Sequence, residues 1–93
     1  MRPVHPGRVL RRELETRKLS ANALAIALRT PSGRITDILN GKRGVSPKTA
    51  MRLARYFGNS ARFWLNPQTA YELAATEAEL GERIAAEVAP GTA

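Results

Sequence analysis

Apolar residues recur along this chain at intervals of three and four, the period of an α-helix, and almost no segment alternates as a β-strand does. In GRVLRRELETRK, residues 7–18, Val9, Leu10 and Leu14 share one side and charged residues occupy the other. Later segments repeat this pattern. It predicts an all-α fold of five or six helices, and the other side chains expected to face its core are Leu24, Ala25, Leu28, Ile35, Ile38, Leu39, Met51, Leu53, Ala54 and Phe57.

Helix starts are marked by hydroxyl residues that can cap a first turn, followed in two cases by proline. The predicted starts are Ser20, Thr30-Pro31, Ser46-Pro47 and Ser60, and Asn40-Gly41 and Gly58 are predicted ends. Asn66-Pro67 either kinks the last helix or begins a sixth one. A chain of 93 residues has room for one core, so we expect a single domain over residues 1–93.

Only Arg29 and Thr30 separate the predicted second and third helices, which is too short for an antiparallel hairpin. Such a turn sets two helices at a steep angle. Ala25 is small enough to lie under the third helix, and Ile35 can fill the gap between the two. This spacing predicts a helix-turn-helix, in which the second helix of the pair enters the DNA major groove.

Charge is distributed unevenly along the chain, whose formal net charge is +7. Residues 1–59 contain 13 Lys or Arg and 3 acids, a net charge of +10, whereas residues 60–93 contain 2 Arg and 5 Glu, a net charge of −3. The distribution indicates a polyanionic partner for the first part and a basic partner for the second. The alternative is that the cations only solvate helix faces.

The predicted third helix carries the side chains that base reading requires. Ser32 and Gly33 are short enough for close approach to DNA, and Arg34 can bind guanine O6 and N7 bidentately. Thr36 can donate to a base or contact a thymine methyl group. Asp37 either accepts from cytosine N4 or orients Arg34, and the sequence does not choose between these roles.

Phosphate contacts are predicted at both sides of this helix. Lys42 and Arg43 follow its end directly, and Asn22 lies near the N-terminus of the helix before it. Side chains of these types bind phosphate without reading sequence.

Catalytic chemistry finds no support in the sequence. His5 is the only histidine, cysteine is absent, and the glutamates of the last helix are spread around it, so we expect no enzyme, no metal and no cofactor. His5 is expected to cap the first helix or to pack there. No run of 18 apolar residues suggests a membrane span, and the chain is expected in the cytoplasm.

An interface is expected on the last helical part, because operator binding usually requires a dimer. The alternative for its aromatic residues is the monomer core, which we expect for Phe63. Trp64 beside Leu65 could instead anchor a two-fold interface. The residues expected at a dimer or partner interface are Trp64, Leu65, Tyr71, Leu73, Leu80 and Ile84.

Four segments resemble the HigA-type, VapI-like antitoxins of the Cro/CI-repressor-like helix-turn-helix family, over about residues 5–75. They are HPGRVLRREL, LSANALAIAL, PSGRITDILNGKRGVSPKTAMRLARYFG and SARFWLNPQTAYEL. The resemblance implies a lambda-repressor-like DNA-binding core over residues 5–58 and C-terminal helices over residues 60–89 for dimer and toxin contacts. Such proteins bind operator DNA as dimers, repress their own operon and neutralise HigB, a toxin that resembles ribosome-dependent ribonucleases; bound to the operator, the chain would lie at the nucleoid.

Two positions depart from the family pattern. Arg29 stands where the family usually has glycine, so either the turn differs or Arg29 offsets a strain of about 1 kcal/mol by meeting a phosphate. Ala21 stands where related repressors often have glutamine, which leaves Asn22 as a substitute phosphate contact. A free-standing regulator with no toxin partner is the alternative function.

Overall fold

The computed structural model describes residues 3–91 and contains five helices in that range. They are α1 Pro6–Arg17, α2 Ala21–Leu28, α3 Ser32–Leu39, α4 Pro47–Phe57 and α5 Ala61–Glu87. The predicted all-α class is therefore confirmed. None of the helices between residues 3 and 91 is long and apolar enough to cross a membrane.

Four of the five helices begin at a side-chain cap. His5 Nδ1 accepts from the Gly7 N–H at 2.9 Å, and Ser20 Oγ accepts from the Ala23 N–H at 3.0 Å. Ser46 and Ser60 cap α4 and α5 in the same way. Each bond satisfies one of the N–H groups that the first helical turn leaves without a partner.

The start of α3 differs from the prediction. Pro31, with φ −56° and ψ 136°, is the N-cap residue, so the helix begins one residue later than expected, at Ser32. The Thr30 hydroxyl does not cap α3, since it donates to the Leu28 carbonyl at 3.4 Å. The physical reason is the extended ψ of Pro31, which moves Thr30 out of reach of the first-turn N–H groups.

Pro67 lies inside α5, which continues through it as one helix, so no sixth helix forms. Proline removes one hydrogen bond to the residue four positions earlier and would normally weaken the helix. Its neighbours Trp64 and Gln68 are both buried against the rest of the domain. Burial of this face stabilises the helix where the backbone bond is missing.

The core is formed by apolar side chains from all five helices and the loop before α4: Leu10, Leu14, Leu24, Ala25, Leu28, Ile35, Ile38, Val45, Ala50, Leu53, Ala54 and Trp64. Most of the predicted core is present, with Val9, Leu39 and Phe57 partly buried around it. Met51 was expected inside but is 67% exposed. The inward stripe of α4 runs through Ala50, Leu53 and Ala54, which turns Met51 toward the side of the domain.

Helix α1 holds the C-terminal end of α3. A side chain at Gly7 would overlap the Ile38 carbonyl oxygen, so glycine is required for this close packing. The Arg11 guanidinium donates to the Leu39 carbonyl at 3.3 Å, which satisfies an end carbonyl of α3. These contacts hold the C-terminal end of α3 against α1, and at the other end of the helix Ser32 and Gly33 are exposed.

Candidate DNA-binding surface

The turn between α2 and α3 adopts a left-handed conformation at Arg29, with φ 55° and ψ 45°. The Arg29 N–H bonds to the Ile26 carbonyl at 3.1 Å, and the Thr30 N–H bonds to the Ala25 carbonyl at 2.9 Å. This is the conformation that glycine adopts easily, so the absence of glycine does not alter the turn. Arginine instead bears a strain of about 1 kcal/mol.

Arg29 and Lys18 are the two non-glycine residues with positive φ between residues 3 and 91. Both are exposed cations at the C-terminal end of a helix, where the helix dipole favours positive charge. The dipole can offset part of the strain at each. Arg29 therefore has a structural reason for its charge, and its exposed side chain stays a predicted phosphate contact.

The packing of α2 against α3 follows the predicted helix-turn-helix. Ala25 is 3% exposed and Ile35 is fully buried, so the small side chain lies under α3 and the larger one fills the interface. Ile38 is also fully buried on the same side of α3. The opposite side of α3 is thereby directed to solvent.

The outward face of α3 presents short side chains, and one unengaged guanidinium lies at the edge of this face. Ser32, Gly33 and Thr36 are exposed, and Arg34 is half-buried. A side chain at Gly33 would meet no atom within 4 Å. Across the part of the chain that the structure describes, the Arg34 side chain makes no hydrogen bond or ion pair. It is free to form the bidentate contact expected with guanine.

The hydrogen bond of the Thr36 hydroxyl, and the lack of an ion pair at Asp37 within the described part of the chain, narrow the roles that were predicted for these two residues. The Thr36 hydroxyl donates to the Ser32 carbonyl at 3.1 Å, which leaves its methyl group and its acceptor lone pairs for DNA. Its predicted role as a hydrogen-bond donor to a base is therefore disfavoured. The half-buried Asp37 carboxylate pairs with no cation among residues 3–91, including Arg34, so the ion pair that would orient Arg34 is not formed.

The basic turn after α3 is folded back onto the helix. The Lys42 and Arg43 N–H groups both donate to the Asp37 carbonyl, at 2.8 and 3.2 Å. Gly41, with φ 74°, permits the reversal. Lys42 and Arg43 are exposed, so two cations stand in solvent directly after the C-terminal end of α3.

Asn22 is exposed in the first turn of α2, as predicted for a phosphate contact. Two further basic residues were not among the predicted site residues. Lys48 is exposed in the first turn of α4, where the helix dipole disfavours a cation, and a DNA phosphate would remove that penalty. Its signal in the sequence was a lysine directly after Ser46-Pro47. Arg52 Nη1 donates to the Leu28 carbonyl at 2.9 Å and ties α4 to the end of α2.

The prediction that Trp64 anchors an interface is wrong. Trp64 is 1% exposed, and its Nε1 donates to Asn59 Oδ1 at 2.9 Å. Phe63, expected in the core, is 44% exposed. The face of α5 that meets the domain runs through Trp64 and Gln68, four residues apart, which directs Phe63 away.

The other predicted interface residues lie along α5. Leu65 is half-buried against the core, and Leu80 is also half-buried. Tyr71 is 40% exposed, and its ring contacts that of His5 edge-on at 5.0 Å. Leu73 is 65% exposed and Ile84 is 48% exposed. A partner can therefore reach Tyr71, Leu73 and Ile84, which stay predicted interface residues.

Proteins of known family and structure share this sequence pattern and this fold. Residues 10–64 match the family described as Helix-turn-helix. Virulence-associated protein I of Dichelobacter nodosus is 50% identical over 78 residues, which cover 83% of this chain and 72% of that protein. An addiction module antidote protein of the HigA family from Coxiella burnetii is 47% identical, with a TM-score of 0.91 over 98% of this chain and 100% of that one. This chain belongs to the HigA family of helix-turn-helix antitoxins.

A second HigA structure bears directly on the candidate surface. The antitoxin HigA of Pseudomonas aeruginosa, solved with the higBA promoter, is 43% identical to this HigA-family chain. The TM-score is 0.92, and the match covers 98% of this chain and 100% of the relative. The likeness therefore includes α5 as well as the helix-turn-helix.

Proposed function

We propose that this HigA-family chain is a sequence-specific repressor that binds the operator of its own operon and acts as the antitoxin of a type II toxin–antitoxin pair. The observation that carries the proposal is the exposed face of α3, with the unengaged Arg34 guanidinium in its first turn and a basic turn fixed to its C-terminal end. The Pseudomonas aeruginosa relative that was solved with promoter DNA has the same fold.

Base reading and phosphate binding are assigned to different residues. Arg34 reads a guanine, with Thr36 and Asp37 next to it on the groove side. Lys42 and Arg43 bind phosphate, because they are exposed, cationic and held by backbone bonds to Asp37 rather than aimed along α3. Asn22, Ser32 and Gly33 line the approach of the domain to DNA, and Arg29 adds positive charge at its edge.

A homodimer is proposed through α5. This helix has 27 residues and is therefore about 40 Å long, whereas its contacts with the core involve its first two turns. Leu73, Ile84 and Val88 are exposed by 65%, 48% and 63%. An apolar stripe of this kind is expected to be covered by a partner, and a dimer would align two α3 helices with two half-sites.

The toxin contact is also proposed on the C-terminal part, over residues 60–89. Residues 60–93 carry 2 Arg and 5 Glu, a net charge of −3, whereas the remainder of the chain is strongly basic. A HigB-like ribonuclease is expected to be basic because its substrate is a polyanion. The acidic α5 surface would attract such a protein while the basic surface stays on DNA in the cytoplasm, at the nucleoid.

The test is to express the neighbouring small gene alone and together with this chain, with a reporter driven by their shared promoter. We expect growth arrest by the neighbour alone, growth with both, and repression of the reporter. Repression with a neighbour that is harmless would support a free-standing regulator. Absence of repression would contradict the DNA-binding proposal itself.

A further inference from the structure

A buried glutamine joins α5 to the loop that follows the basic turn. Gln68 is 6% exposed, and its Oε1 accepts from the Val45 N–H at 2.9 Å. Its Nε2 donates to Glu72 Oε1 at 2.7 Å. None of the roles described so far for α5, in the core or at an interface, requires a buried amide that reaches a backbone N–H group.

The two partners fix which way the amide points. The Val45 N–H is a donor, so it must face the amide oxygen, and the Glu72 carboxylate is an acceptor, so it must face the amide nitrogen. Rotating the amide by half a turn would place its NH₂ group against the Val45 N–H, donor against donor. It would also place its oxygen against the Glu72 carboxylate, acceptor against acceptor. Glu72 therefore orients Gln68, and Gln68 satisfies the buried Val45 N–H group.

The loop backbone lies directly against this amide. A Cβ atom built at Gly44 would be 2.5 Å from Gln68 Nε2 and 2.7 Å from Gln68 Oε1, which is closer than packed atoms allow. Gly44 is therefore required for the contact with Gln68. On its other side, the turn is held by the Lys42 and Arg43 N–H groups on the Asp37 carbonyl.

We propose that Gln68, oriented by Glu72, is a positioning residue for DNA binding that holds the turn carrying Lys42 and Arg43 in place for phosphate. The inference rests on the proposed function. The turn is fixed to α3 at one end and to α5 at the other. The segment between the two attachments, residues 42–45, is so short that the bond to Gln68 limits the directions in which the Lys42 and Arg43 side chains can point. Helix α5 thereby contributes to operator affinity without touching DNA.

The first experiment compares wild type with Gln68→Met, which keeps the side-chain length but cannot bond to Val45. Operator affinity is measured against salt at a temperature well below the melting temperature. We expect roughly five- to tenfold weaker binding and a salt slope smaller by about one, because one phosphate contact is lost. The variant should still bind the operator more tightly than a site altered at the guanine that Arg34 reads, by the same ratio as wild type.

A double-mutant cycle separates positioning from general destabilisation. In a Lys42→Ala, Arg43→Ala background, Gln68→Met should cause no further loss of affinity, because the groups that it positions are gone. An equal loss in both backgrounds would overturn the proposal. Ala70→Gly, at an exposed site two residues away, lowers the melting temperature without touching the loop and should leave operator affinity unchanged.

A second pair of variants decides the question even if Gln68→Met does not fold. Glu72 is exposed, and Glu72→Ala and Glu72→Gln remove the same charge, but only glutamine keeps an acceptor for Gln68 Nε2. We expect binding roughly two- to threefold weaker for Glu72→Ala and wild-type binding for Glu72→Gln, since the lost bond is one of modest net strength. Equal affinities would overturn the inference. Failure of wild type to prefer its operator would instead contradict the proposed function.

Discussion

Arg34 and Lys42 are both cations of the helix-turn-helix region, but their surroundings predict different DNA contacts, a base for Arg34 and a phosphate for Lys42. Arg34 lies in the first turn of α3 with no partner in the described chain, whereas Lys42 is held by its backbone beyond the helix end. Arg34→Ala should cost roughly 1–3 kcal/mol of operator binding and relax specificity at one base pair. Lys42→Ala should weaken binding to all sequences and lower the salt slope by about 1. Binding titrations over a range of salt test this, and equal losses with equal slopes would contradict the division.

Gly33 gives a test in which protein stability and DNA binding change in opposite directions. Nothing in the protein lies within 4 Å of a Cβ atom at this position, so Gly33→Ala creates no internal clash. Alanine should raise the free energy of unfolding by up to about 1 kcal/mol, because it favours the helix. Operator affinity should fall, because the methyl group opposes close approach to the groove. Thermal unfolding and binding measured on the same sample check the prediction, and unchanged affinity would show that Gly33 does not face DNA.

The roles of some single residues could be predicted from the sequence, and those of others could not. The roles of Ser20, Ser46 and Ser60 as caps were predictable because capping depends on a few adjacent residues. The roles of Phe63 and Trp64 were interchanged, since neighbours on a helix differ by about 100° and the sequence does not fix the rotation of α5 against the domain. Gln68 gave no local signal, because its partner Val45 is 23 positions away.

Among the elements, α1 depends on a titratable cap. The form of His5 that accepts from the Gly7 N–H is the neutral imidazole. Burial lowers the pKa of His5 below its usual 6.5, and the nearby Glu72 carboxylate opposes this. The folded protein therefore binds this proton less readily than the unfolded chain, so the stability due to the cap is present above pH 6.5 and is lost as the pH falls through the lowered pKa.

The measurement is the melting temperature at pH 7.5 and pH 5.5 for wild type and His5→Asn. Asparagine caps a helix well but does not titrate in this range. Wild type should lose more stability than His5→Asn on acidification. Parallel pH profiles would show that the His5 cap contributes nothing to the pH dependence.

Helix α5 offers a matched test of the dimer. Leu73→Asp places a charge on the exposed apolar stripe, whereas Ala86→Asp places the same charge about 220° around the helix from Leu73 and about four turns beyond Tyr71. Leu73→Asp should shift the protein toward monomer in sedimentation experiments and weaken binding to a two-half-site operator. Ala86→Asp should leave the association state unchanged. If both variants stay dimeric, the stripe is not the interface.

The number and order of the elements followed from local signals, but two features of them did not. The start of α3 at Ser32 depends on the ψ of Pro31, and the continuity of α5 through Pro67 depends on burial of Trp64 and Gln68. Both are decided by tertiary packing, which overrides local preference. The left-handed turn at Arg29 is a similar case, because the surrounding helices impose a positive φ on a residue type that rarely adopts one.

The whole molecule separates two kinds of surface along its length of 51 Å. The helix-turn-helix, with exposed Lys42 and Arg43 directly after α3, lies on the basic part, and α5 extends the acidic part with an exposed apolar stripe. The sequence predicted this division from charge alone. The attachments of the basic turn required the structure, since they are backbone bonds to the Asp37 carbonyl and a bond from the Val45 N–H to Gln68 of α5.

We propose that this chain recognises the DNA in front of its own operon through α3. The deciding measurement is the affinity of the purified protein for a duplex from that region and for a shuffled duplex of the same composition, at physiological salt. A specific site should bind roughly 10³-fold or more tightly than the shuffled duplex, and Arg34→Ala should remove most of this preference. Equal affinity of wild type for the two duplexes would contradict operator recognition by α3.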